Sequence, residues 1–153
     1  MIIIRDTREK EPWNLSFFPE VKEYRTQGLK TGDYTMWGYD NIVSIERKRN
    51  TSEIAINLGK KWKAFERELK RLEPIPHKYI ICEFPETDLD IFPENSGVPK
   101  KLWSSLRMSS GFLKSRLYSE TIKYNIQLIF SANKSEAEQK VIEIFKEVLK
   151  NYE

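Results

Sequence analysis

The sequence predicts an α/β fold, a β-sheet with helices on its faces. Three observations carry this. Short apolar runs of strand length come first (IIIR at residues 2–5, then YTMW and IVSIER). Helix-like and strand-like runs then alternate (KKWKAFERELKRL, KYIICEF, GFLKSRLYSETIKY, IQLIF). The chain closes on an amphipathic run, SEAEQKVIEIFKEVLKNY. That order of elements belongs to sheets covered by helices. At 153 residues the chain is expected to form one domain, a size that buries about two-thirds of its unfolded surface.

IIIR is a continuous apolar run, as a buried strand requires. A loop carrying Pro12 and Pro19 leads to EVKEYRT, a strand with Val21, Glu23 and Arg25 on one face and Lys22, Tyr24 and Thr26 on the other. Gly28 and Gly32 punctuate the segment after it. Residues 34–37 and 42–47 read as a β-hairpin around GYDN. In residues 60–72, Trp62, Phe65, Leu69 and Leu72 recur at helical spacing and make one apolar stripe, with Lys60, Lys63, Arg67, Lys70 and Arg71 opposite. Pro74 and Pro76 stop that helix, and KYIICEF is another buried strand. PETDLDIFPENSGVP reads as an acidic loop holding at most one helical turn. Helices are expected around KKLWSSLR and GFLKSRLYSETIKY, a last strand at IQLIF, and then a closing helix. Ser135 and Glu138 have capping-box spacing at its start. Its stripe of Ala137, Val141, Ile144, Phe145, Val148 and Tyr152 should pack on the sheet.

Several function classes are excluded. No apolar run approaches the roughly 20 residues of a membrane helix. Met1 is followed directly by IIIR, without the basic region and cleavage site of a signal peptide, so a cytoplasmic protein is expected. One cysteine, Cys82, excludes an internal disulfide and a Cys-based zinc site; within YIICEF it reads as a buried thiol. The single His77 has no partner for a catalytic triad. The net charge of +3 is unevenly spread. Residues 41–80 hold ten Lys/Arg against five Asp/Glu, residues 81–98 hold five acids and no base, and residues 99–125 hold six bases and one acid. Basic surfaces separated by an acidic loop suit a polyanionic partner, and equally describe a solvated surface.

The stretch KTGDYTMWGYDNIVSIERKRN, residues 30–50, concentrates the chemistry. Side chains alternate along a strand, so Glu46 and Lys48 project to one side of the sheet and Arg47 to the other. If the hairpin pairs as expected, Asp33 arrives at the same corner as Glu46 and Lys48. Two adjacent carboxylates repel each other unless a cation lies between them. Mg²⁺ or Mn²⁺ suits such all-oxygen ligands, and Mg²⁺ completes its shell with water and phosphate oxygens. Metal-assisted phosphodiester hydrolysis needs this apparatus, with Lys48 holding or helping to deprotonate the attacking water. A D…ExK triplet alone also describes a surface hairpin tipped with salt bridges.

More than the triplet matches. IIIRDTRE, then GDY, then SIERK, a basic-aromatic helix and IICEF, in that order over roughly residues 1–84, resemble the nuclease domain of the XPF-type structure-specific endonucleases, named for the xeroderma pigmentosum group F repair nuclease. Asp6, Arg8 and Glu9 match the family's first motif, Gly32 and Asp33 the second, and Glu46, Arg47 and Lys48 the third. The resemblance implies a restriction-endonuclease-like fold with a central mixed β-sheet of about five to six strands flanked by helices. It further implies a divalent-metal site at Asp33 and Glu46 with catalytic Lys48. Asp6 and Glu9 would line the same site, and Arg8 and Arg47 would sit near scissile phosphates or brace the acids. Glu83 matches a family glutamate. Members cut branched or flapped DNA and commonly pair through their nuclease domains.

Two departures stand out. The aspartate expected after Glu-Arg-Lys is Ser52 here, a residue suited to begin a helix. The tandem helix-hairpin-helix module with which the family grips DNA has no counterpart, so residues 1–153 are expected to be a nuclease domain alone.

The face of Lys60, Lys61, Lys63, Arg67, Lys70 and Arg71, with Arg47, is the candidate DNA-binding surface; Lys and Arg also simply favour helices. Lys100, Lys101, Arg107, Lys114 and Arg116 form a second candidate patch. Trp13, Phe17, Phe18 and Trp37 are candidates for base stacking as well as for the core. Phe112, Leu113, Leu117 and Ile122 suggest a leftover apolar face and a homodimer. The leading expectation is a metal-dependent DNA endonuclease of repair, recombination or phage DNA processing. A catalytically inactive DNA-binding or dimer-partner module is the alternative, and an RNA-directed nuclease a third reading.

Overall fold

The computed structural model describes residues 1–152. Six strands form one mixed sheet: β1 (Ile2–Arg5), β2 (Glu23–Thr26), β3 (Tyr34–Met36), β4 (Val43–Lys48), β5 (His77–Cys82) and β6 (Gln127–Phe130). Their spatial order is β2-β1-β3-β4-β5-β6. β1 runs antiparallel to β3 and β3 antiparallel to β4, while β1–β2, β4–β5 and β5–β6 are parallel. The helices are α1 (Thr51–Leu58), α2 (Trp62–Leu72), α3 (Thr87–Asp90), α4 (Ser110–Lys123) and α5 (Lys134–Tyr152). This is the α/β mixed sheet with flanking helices that the sequence predicts. Among the described residues no helix is long and apolar enough to cross a membrane.

Alternation along the strands divides the interior into two cores. On one face Ile54, Phe65, Leu69, Leu113 and Leu117 of α1, α2 and α4 pack over Ile80 and Cys82 of β5. On the other, Ala137, Val141, Phe145 and Val148 of α5 join Trp13 and Leu15 against Ile3, Tyr34, Ile45 and Ile81. The predicted α5 stripe is thus the packing face, although Tyr152 stays exposed at its end. The hairpin turn lies at residues 37–42 as predicted, with Gly38 at φ 82°, a conformation that glycine adopts without strain.

The structure changes several local expectations. β2 begins at Glu23, later than the periodicity of EVKEYRT suggests, because it pairs only with β1 at the sheet edge. The start of α1 is capped by Asn50, whose side chain accepts the Glu53 N–H at 3.0 Å, while the Ser52 hydroxyl donates to Asn50. Asn133 plays the same part at α5, accepting the Glu136 N–H at 2.9 Å while Glu136 accepts from the Ala132 N–H. Ser135 therefore lies too far into the helix to be the cap. Lys100–Ser105 is a 3-10 helix with no buried residue. Leu113 and Leu117 are core residues, which leaves only Phe112 and Ile122 of the predicted apolar face exposed.

Candidate active site

Sheet topology assembles the site. β1 and β4 both end, and β3 begins, at one edge, because each runs antiparallel to β3. Asp6 therefore follows β1, Asp33 precedes β3, and Glu46 with Lys48 closes β4 at the same corner. Backbone bonds fix the register: the Asp6 N–H donates to the Asp33 carbonyl at 2.8 Å, and the Asp33 N–H to the Ile45 carbonyl at 2.7 Å. Gly32 is required at the approach. Its φ is 71°, and a Cβ there would come within 2.1 Å of the Ser44 hydroxyl and 3.1 Å of the Ile45 carbonyl. The Gly-Asp pair is thus a close backbone passage followed by an acid.

Asp33 and Glu46 face one cleft of about 220 Å³ that Asp6, Arg8, Thr31, Glu68 and Arg71 also line. A second cavity of about 300 Å³ meets the same two acids from the side of Glu9, Lys48 and Glu53. Burial, and then the neighbouring Glu46 carboxylate, push the Asp33 carboxyl well above its usual range. The Arg47 backbone N–H opposes this by donating to Asp33 Oδ2 at 2.8 Å. Burial alone would lower the Lys48 ammonium, but Glu46 and Asp33 outweigh it and hold the group above its ordinary value. Lys48 Nζ lies 3.6 Å from Glu46 and donates to Asn57 Oδ1 at 2.7 Å. Its ammonium also sits 5.1 Å from the centre of the Phe65 ring.

Strand alternation sends Arg47 to the opposite face, as predicted. There its guanidinium donates to Glu83 at 2.6 Å, to Glu9 at 2.9 Å and to the Glu11 carbonyl at 2.9 Å, and lies over Trp13. Arg47 is 4% exposed, and its contacts fit bracing of the acids, while it also lines the second cavity. Glu9 also accepts from the Tyr34 hydroxyl at 2.8 Å, and Glu83 from the Trp13 indole. Asp6 is held below the usual carboxylate range: burial would raise it, but the Leu29 N–H and the Arg8 guanidinium outweigh that. Arg8, 2.7 Å from Asp6, keeps a largely exposed side chain at the cleft mouth.

Of the basic residues of α2 and its approach, Arg71 alone lines the cleft of Asp33 and Glu46, while Lys60, Lys61, Lys63, Arg67 and Lys70 are exposed on the same helix or just before it. In the second patch Lys114 pairs with Asp90 and Arg116 with Glu120, leaving Lys100, Lys101 and Arg107 exposed. Trp13 is buried and cannot stack on a base, whereas Phe17 and Trp37 are exposed. Sequence reasoning missed two residues of the site. Asn57 holds Lys48 from α1, and Glu68 enters the cleft from α2 with its carboxyl raised by burial and by Glu46. Glu68 carried a usable signal, since it falls between the apolar stripe and the basic face of its helix.

The chemistry of the donors fits a divalent cation. Two carboxylates converge at one corner, and their repulsion is relieved by positive charge between them. Among the described residues no group of three or more His, Cys, Asp and Glu forms a metal-binding cluster. Two carboxylates completed by water and phosphate oxygens are the usual provision for Mg²⁺.

Comparison with known proteins agrees with this architecture. The fold is similar to that of XPF from Aeropyrum pernix, at 19% identity and a TM-score of 0.67, covering 95% of this chain and 60% of that one. It is equally similar to XPF from Aeropyrum pernix in complex with DNA, at 20% identity and a TM-score of 0.68, covering 97% of this chain and 65% of that one. The chain thus spans less than two-thirds of the length of these structures. No curated protein matches the sequence. A family model for the ERCC4 domain matches residues 5–142. The chain, with its mixed sheet and its acids gathered at one corner, belongs to the ERCC4 domain family.

Proposed function

We propose that this domain is a metal-dependent DNA endonuclease that hydrolyses phosphodiester bonds. Its substrates are branched, flapped or single-stranded-containing DNA, as repair, recombination or phage DNA processing generates. The observation that carries the reading is the Asp33–Glu46 carboxylate pair, with the Lys48 ammonium 3.6 Å from Glu46, at the floor of an open cleft. Family membership and the DNA complex of the similar XPF structure support it.

Asp33 and Glu46 would hold Mg²⁺ or Mn²⁺. Such an ion lowers the pKa of a bound water and neutralises charge on the phosphate. Lys48, kept cationic by its acidic neighbours, holds a water or a phosphate oxygen through its N–H donors, and Asn57 fixes the direction of that ammonium. Arg8 offers a guanidinium to the phosphate at the cleft mouth. Below, Arg47 ties β4 to Glu9 after β1 and to Glu83 at the end of β5. In the reaction a water oxygen bonds to phosphorus as the water gives up a proton, one P–O ester bond breaks, and the leaving oxygen takes up a proton in its place. The exposed cations of α2 and Arg71 track the DNA backbone.

A homodimer belongs to the same reading. Leu102 in the 3-10 helix, Leu106 just after it, and Phe112 and Ile122 of α4 are exposed apolar groups that a second copy would cover. Sedimentation as a monomer at tens of micromolar would remove this part alone.

Covalently closed circular DNA, single-stranded and duplex, tests the activity without offering an end. Nicking with Mg²⁺ or Mn²⁺ and none with EDTA supports an endonuclease. Salt-sensitive binding without nicking under either ion contradicts it and favours a DNA-binding module that has lost activity.

A further inference from the structure

α1, α2 and α4 close over β5 and β6. Ile4 of β1 and Thr35 of β3, paired across the strands on the same side, are buried but belong to neither core. Over them lies a groove of about 740 Å³. Lys30, Thr31 and Arg71 line both this groove and the cleft of Asp33 and Glu46, so the two adjoin across these three residues. At its far end stands Trp37, 58% exposed, with the Arg25 guanidinium 5.7 Å from its ring centre. Lys30 and Arg71 are exposed and, among the described residues, form no ion pair.

We propose that this groove binds an unpaired strand of the DNA substrate, with Trp37 stacking on a base and Lys30 and Arg71 meeting the phosphates between Trp37 and the cleft. The inference rests on the nuclease reading and gives it a substrate preference. Charge favours a polyanion along the groove wall, since Lys30 and Arg71 line it without an ion pair and its lining acid, Asp40, lies toward the hairpin turn; the carboxylates beyond Lys30 and Arg71 belong to the cleft that would hold the cation. Size favours a single strand. The volume falls within the roughly 300–1,000 Å³ of small-ligand sites, room for one or two nucleotides but not a duplex. An exposed indole beside a track of cations is how proteins hold single strands without reading sequence, because every base has a π-face. Strands leaving the groove past Lys30 and Arg71 enter the cleft beside Asp33. A substrate with an unpaired arm would therefore be positioned by this chain's own surface.

The test measures affinity for a duplex with a single-stranded tail and for the same duplex blunt-ended, both fluorescently labelled, in EDTA. Wild type should favour the tailed DNA. Trp37→Ala should reduce that preference by about 5-fold to 100-fold, toward parity. Trp37→Phe, which keeps an aromatic face, should restore it. Intrinsic tryptophan fluorescence should fall when the tailed DNA binds wild type, and this change should vanish in Trp37→Phe although binding remains. Thermal melting of each variant establishes that this exposed position leaves the fold intact. A wild type without tail preference, or a Trp37→Ala variant that keeps it, would overturn the proposal. Cleavage of the same DNAs with Mg²⁺ separates the two readings. Cutting with an unaltered tail preference in Trp37→Ala overturns the groove alone. Tail preference that depends on Trp37, without cutting under any cation, overturns the nuclease reading and supports the groove as a strand-binding site.

Discussion

The Arg47 backbone N–H donates to the Asp33 carboxylate at 2.8 Å, so the strand that carries Glu46 also fixes the acid facing it. Strand pairing thus sets the position of the Asp33 carboxylate relative to the backbone that carries Glu46. Metal-free protein bears the repulsion of that pair.

Replacing Asp33 by Asn removes the repulsion and keeps an acceptor for the Arg47 amide. The native Asp33 pKa is raised, so the folded state binds more protons than the unfolded state above the ordinary aspartate range. Its contribution to stability is full below that range and falls as pH rises through the native pKa. Asp33→Asn should thus raise the Tm of metal-free protein at neutral pH by about 2–4 °C per kcal/mol relieved. It should also abolish the stabilisation that Mn²⁺ gives wild type. Melting curves from pH 4 to pH 8, with EDTA or Mn²⁺, check both.

Arg47 satisfies two carboxylates from the buried side of β4. Arg47→Ala strands Glu9 and Glu83 in a poorly solvated layer and should cost about 3–5 kcal/mol. Lysine should rescue only part of this, because one ammonium cannot reproduce the guanidinium's separate bonds to Glu9, Glu83 and the Glu11 carbonyl. Urea unfolding of the two variants measures the difference.

Asn57 touches Lys48 and acts through it. Asn57→Ala should lower kcat by about 10-fold to 100-fold with little change in KM, since a misdirected ammonium still leaves the binding surface whole. Asn57→Asp keeps the acceptor and should retain more activity than Asn57→Ala. Single-turnover cleavage of a labelled flap reads both.

Lys63 and Arg67 are exposed on α2 and make no ion pair among the described residues. Exchanging both for Gln should reduce the slope of log affinity against log salt by about 0.9 for each duplex phosphate that the helix no longer neutralises. An unchanged slope would mean that this helix face is solvated and meets no DNA.

Much of this was legible in the sequence where chemistry and backbone period coincide. The alternation in IVSIERK places Glu46 and Lys48 opposite Arg47, and the structure keeps that division: Lys48 points to Asn57, Arg47 to Glu83. Gly-Asp marks a strand entrance because only glycine fits under Ser44. Asn57 was not legible, because its role depends on how an eight-residue helix docks against the end of β4. Leu113 and Leu117 show the same limit from another side. An apolar stripe announces burial without naming what covers it, and the covering surface is this chain's own core of helices and sheet.

The proposed function stands on Asp33, Glu46 and Lys48 forming a cation-dependent hydrolytic centre. End-labelled single-stranded, duplex, flapped and splayed DNA, incubated with wild type and with Glu46→Gln in Mg²⁺, Mn²⁺ or EDTA, tests it most directly. Wild type should cut only with a divalent ion, most strongly where paired and unpaired DNA meet, and Glu46→Gln should lose at least about 100-fold. Cutting that persists in EDTA, or that survives in folded Glu46→Gln, would contradict it.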